Sequence, residues 1–212
     1  MRNAVIIATP GTDPVELLAL LGQHPEIAAL PPVRLSAMLH GTSHGIVRAL
    51  KPGPAEGPAV PIPLAHLDTM DLARQTSRAA VDLVFEQLRR TASADTVVVW
   101  DPQGLKYPFS DPPDIHLILL TRSPLSAAQR LAGGIHLEDI SAVVEKLVHE
   151  ATARPRAWGL AEERVLSVDE EALMGSDVLE RLLEFLDVTS DPSAIQNLLA
   201  QHRIRSVAQG TC

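Results

Sequence analysis

The chain has 212 residues, 46% hydrophobic and 21% charged, enough for one sizeable core and a single domain over 1–212. Its formal net charge of −8 excludes a general nucleic-acid binder, whose affinity comes from a basic field. Apolar runs fall short of the roughly 20 residues of a membrane span, and the lone cysteine, Cys212, excludes an intramolecular disulfide or a cysteine-rich metal site. The expectation is a cytoplasmic protein with no nucleic-acid or membrane partner; its oligomeric state is not legible.

Ala4–Ala8 is a continuous apolar run, the pattern of a strand covered on both faces. After a Gly/Pro turn, Leu17, Leu18, Leu20 and Leu21 define a helix ending near Gly22, and His24-Pro25-Glu26 makes a turn into a short strand at Ile27–Leu30. From Met38 to Pro63 the pattern loosens. Gly41 and Gly45 argue against a helix, and five prolines follow, so residues 40–64 read as a flexible Pro/Gly-rich loop, a candidate lid.

A long helix is expected from His66 to Thr91, burying Leu72, Ala73, Thr76, Ala80, Leu83 and Val84. Thr96–Trp100 is a strand, Asp101–Asp114 a proline-rich loop, and Ile115–Leu120 another strand, leading into a helix through Leu131. A helix over Glu138–Thr152, a strand over Arg164–Val168 and a helix over Asp177–Leu186 capped by Ser176 come next. Asp191-Pro192 opens a last helix to His202, and residues 203–212 read as a frayed tail. Strands alternating with helices predict a three-layer α/β/α fold with a mostly parallel central sheet of about 4–5 strands.

Three places carry chemistry. At Arg122-Ser123-Pro124 a guanidinium meets the start of a capped helix, a combination suited to phosphate. His40 and His44 are general-base candidates near neutral pH. Their spacing also fits two metal ligands on a helix, but no third ligand is evident, so no metal is expected. Asp101 is a candidate general base, although an Asp-Pro turn is the simpler reading of it.

Several landmarks resemble the PAPS-dependent sulfotransferase family. They are Ile6-Ile-Ala-Thr-Pro10 running through the Leu-rich helix to His24-Pro25-Glu26-Ile27, Ile115-His-Leu-Ile-Leu-Leu-Thr-Arg122-Ser123-Pro124, and Arg164-Val-Leu-Ser-Val-Asp169-Glu-Glu-Ala-Leu173 followed by Leu182-Leu-Glu-Phe185-Leu186. The order spans residues 4–190. The resemblance implies a P-loop-type sulfotransferase fold and transfer of a sulfonyl group from PAPS to a small-molecule hydroxyl or amine. It implies Gly11 and Thr12 in the phosphosulfate turn, Arg122 and Ser123 with Arg130 at the 3′-phosphate, and His40 or His44 activating the acceptor.

The first turn departs from that pattern. Pro14 removes a backbone donor, and Asp13 is placed to cap the helix, with Glu16 able to complete a box. A carboxylate about 5 Å from a phosphate charge, at an effective dielectric near 20, costs on the order of 3 kcal/mol. The helix terminus returns only roughly 0.3–2 kcal/mol. No Lys or Arg lies within the turn, and the basic residue expected at the end of the middle strand falls at Trp100-Asp101, with Lys106 beyond it. Two alternatives therefore stand beside the transferase: a sulfotransferase fold repurposed as another small-molecule enzyme, or a non-catalytic binding module, each with no PAPS.

Overall fold

The alternation of side chains along Asn3–Ala8 (β1) sends Ala4 and Ile6 into one apolar cluster and Val5 and Ile7 into another. That is the two-period of a strand buried on both faces. In the computed structural model, which describes residues 2–50, 68–102, 114–132, 142, 144–146, 148, 149 and 160–208, β1 is the centre of a five-stranded parallel sheet. Its other strands are Ile27–Ala29 (β2), Thr96–Trp100 (β3), His116–Thr121 (β4) and Val165–Asp169 (β5), in the order β2-β3-β1-β4-β5.

On one face pack Pro14–Leu21 (α1), Ser176–Phe185 (α5) and Pro192–Ala208 (α6), through Leu17, Leu20, Leu21, Leu179, Leu182 and Ile195. The other face is covered by Leu35–Leu50 (α2) and Thr69–Ala92 (α3). Pro124–Ala132 (α4) follows β4 and packs Ala127 and Ala128 against Val144 and Val148. The His24-Pro25-Glu26 turn is a structural staple. Its buried His24 ring accepts from the Glu26 N–H at Nδ1 (3.2 Å) and donates from Nε2 to the Thr189 carbonyl (3.0 Å). No helix among the described residues is long and apolar enough to cross a membrane.

Four expectations are corrected. Residues 40–50 are not loop but the body of α2. Gly41 and Gly45 each cost about 0.5–1 kcal/mol in a helix. Leu35 and Leu39, one turn apart and almost fully buried, each contribute about 1.5–3 kcal/mol, so packing overrides propensity. The buried stripe of α3 is Ala73, as expected, with Ser77, Val81 and Phe85 in place of Thr76, Ala80 and Leu83, of which Leu83 is 64% exposed. A one-residue shift turns the helix by about 100° and puts Phe85, the bulkiest side chain available, into the core.

Ser176 is the first helical residue of α5, whose N-cap is Gly175. The last helix continues to Ala208, through most of the expected tail. Lys106, residues 51–64 of the expected loop, most of the expected helix at 138–152 and residues 209–212 lie outside the described residues.

Candidate anion centre

The chain leaves β1 toward β2 and leaves β4 toward β5, in opposite directions along the sheet. Open α/β sheets bind ligands outside the C-terminal ends of two such neighbours. Gly11, in the turn after β1, has φ +82°, and a Cβ built on it would lie 2.8 Å from the Ala127 Cα of α4. Only glycine lets this turn lie against α4. Thr12 directs both its N–H (3.2 Å) and its hydroxyl (2.6 Å) at the Thr9 carbonyl, which ties the turn to itself. Asp13 caps α1 as expected, its Oδ1 accepting from the Val15 N–H at 3.0 Å, with Pro14 at the first helical position.

The Asp13 backbone N–H, which a local capping box would give to Glu16, donates instead to Glu170 Oε1 at 2.9 Å. Arg130 Nη1 donates to the same oxygen at 3.0 Å, and Arg130 Nη2 lies 3.5 Å from Asp13 Oδ2. Arg122 Nε lies 3.1 Å from Glu170 Oε2 and 3.7 Å from Glu171 Oε1. The Glu170 side chain is only 2% exposed.

One internal carboxylate thus sits where a backbone N–H at a helix start and two guanidiniums converge, the arrangement that otherwise receives an anion. Among the described residues, neither Arg122 Nε nor Glu170 Oε2 completes a hydrogen bond, nor does the buried hydroxyl of Thr9. The Arg122–Glu170 contact is therefore an ion pair without hydrogen-bond alignment. Three carboxylates, those of Asp13, Glu170 and Glu171, face two guanidiniums. The centre holds one excess negative charge.

Of the residues singled out from sequence, Arg122 and Arg130 both reach Glu170, and Gly11 packs on Ala127 of the helix that carries Arg130. Ser123 caps α4, its Oγ accepting from the Ser126 N–H at 3.2 Å. The first turn has no Lys or Arg of its own, and α4 delivers Arg130 to Asp13 from outside it. His40 and His44 lie elsewhere, exposed on successive turns of α2 with stacked rings 6.0 Å apart. No group of three or more metal-ligating side chains occurs among the described residues. Asp101, 1% exposed, follows β3, and its N–H donates to the Ile6 carbonyl at 3.2 Å.

Sequence reasoning missed Glu170. Its signal was the acidic run Asp169-Glu170-Glu171 at a strand end, which only the pairing of β4 with β5 sets beside Arg122. Thr121 is in register with Asp169, so the two next residues emerge as neighbours.

A scan against protein-family models and a comparison with curated proteins find no match. Among solved structures, the chain is similar to the sulfotransferase domain from the curacin biosynthetic pathway, with a TM-score of 0.54 and 14% identity over 92% of this chain and 77% of that one. It is also similar to sulfotransferase STF9 from Mycobacterium avium, with a TM-score of 0.50 and 16% identity over 95% of this chain and 68% of that one. What the chain shares with these proteins at such identities is architecture: it has a sulfotransferase-like α/β fold.

Proposed function

We propose that this is a sulfotransferase-fold protein that has given up PAPS chemistry and acts as a small-molecule binding protein, the anion-binding groups of its first turn and of Arg122 and Arg130 taken up by its own carboxylate. The observation that carries this reading is Glu170 Oε1, held at 2.9 Å by the Asp13 N–H and at 3.0 Å by Arg130. A phosphate group would have to expel a buried, charge-paired carboxylate and then meet the remaining acids. Each like charge at about 5 Å costs on the order of 3 kcal/mol at an effective dielectric near 20.

A second reading keeps sulfonyl transfer from PAPS to a small-molecule hydroxyl or amine, with Glu170 swung aside. It is favoured by the convergence of Arg122 and Arg130, the residues that the resemblance assigns to the 3′-phosphate, on one point beside the first turn.

Calorimetric titration with adenosine 3′,5′-bisphosphate, paired with thermal unfolding, separates the two. The expected outcome is no saturable heat and an unchanged Tm at millimolar nucleotide. A rise in Tm that Arg122→Ala abolishes would overturn the first reading and establish the second.

A further inference from the structure

We infer that the cradle between β1 and α4 is a self-occupied oxyanion site, in which Glu170 is an internal competitor for a tetrahedral dianion of the sulfate or phosphate class. The inference rests on the reading that Glu170 fills the cradle, and it adds that the cradle itself is intact. Its donors are already assembled. The Asp13 N–H and Arg130 Nη1 meet at one Glu170 oxygen, and Arg122 stands 3.1 Å from the other. The turn is held in shape independently of Glu170, by Thr12 bonded to the Thr9 carbonyl and by Gly11 packed on Ala127.

Arg122 Nε completes no hydrogen bond among the described residues, and neither does Glu170 Oε2, the oxygen 3.1 Å from it. Glu170 therefore satisfies the cradle incompletely, as a planar carboxylate does where a tetrahedral anion has more acceptor directions to offer. Glu170 also sits in a short 3-10 turn, Glu170–Ala172, capped by Asp169 through the Glu171 N–H. Displacing it reorganises one turn and leaves β5 in place.

Charge decides which occupant prevails. With Glu170 ionised, the five side chains sum to one negative charge; replacing it by Gln brings the sum to zero while keeping the shape. Removing a unit charge about 5 Å from a dianion is worth on the order of 10,000-fold in affinity at an effective dielectric near 20. Screening in buffer reduces this to roughly tenfold or more.

The test titrates the full chain and its Glu170→Gln variant with inorganic sulfate and with inorganic phosphate, against chloride at equal ionic strength. Glu170→Gln should bind one dianion at least roughly tenfold more tightly than the unaltered protein, and Arg130→Ala placed on top of it should remove the gain. A folded Glu170→Gln protein that binds no better than the parent overturns the inference, and so does a gain that survives Arg130→Ala.

Should Glu170→Gln fail to fold, hydrogen exchange on the unaltered protein gives the answer. Sulfate strengthens burial generally, so protection should rise across the sheet yet fall locally at residues 170–173; a uniform rise overturns the inference. Adenosine bisphosphate bound by the unaltered protein would instead sink the PAPS-free reading. Failure of the Gln variant alone leaves that reading standing.

Discussion

At the scale of single residues, Gly11 stands out among the described glycines. A side chain there meets both a left-handed backbone and the Ala127 Cα at 2.8 Å. Gly11→Ala is expected to lower stability by about 2–4 kcal/mol, from backbone strain plus overpacking, as measured by urea unfolding. His116 makes a second residue-scale prediction. Burial holds its pKa below the usual 6.5, with Arg2 and Arg164 pushing the same way and Asp114 and Asp187 opposing. The unfolded chain therefore takes up a proton before the folded one does. Stability from this group is complete above pH 6.5 and declines as pH falls from there toward the lower folded value. His116→Gln should flatten the slope of unfolding free energy against pH just below 6.5; an unchanged slope would show that other groups dominate.

At the scale of elements, α2 shows why glycine is a weak guide when packing is strong. A Cβ added at Gly41 or at Gly45 meets nothing within 4 Å, so neither glycine is needed by a neighbour. Gly41→Ala and Gly45→Ala should each stabilise the protein by about 0.5–1 kcal/mol, whereas Leu39→Ala, from the buried face, should cost about 2–5 kcal/mol. Thermal unfolding of the three variants checks the sign as well as the size. If the glycine variants destabilise, the helix is strained in a way these contacts do not show. The rotated face of α3 has the same origin. Several stripes of that helix are apolar enough to bury, and the partner surface of α2 and the sheet selects the one containing Phe85.

At the scale of the whole molecule, the anion centre joins the ends of β1, β4 and β5, and its members should couple energetically. Arg122→Ala leaves the buried Glu170 short of a counter-charge and should cost about 3 kcal/mol; in a Glu170→Gln background the same change should cost far less. A double-mutant cycle by denaturant unfolding reads this coupling, and additive effects would mean that the pair at 3.1 Å contributes little. The sequence by itself determined the five strands, the Asp13, Ser123 and Asp191 caps and the alternating α/β order, because each is set by residues a few positions apart. Through resemblance to a family it also marked Gly11 and Thr12 for a phosphosulfate turn, and Arg122, Ser123 and Arg130 for a 3′-phosphate site. Only the tertiary structure decided what fills that site. Glu170 is distant from Arg122 and Asp13 along the chain, and the parallel register of β4 with β5 is what sets its carboxylate against them. Local patterns report local hydrogen bonds and periodic burial, whereas a charge cluster built from three strand ends exists only once the sheet has chosen its order.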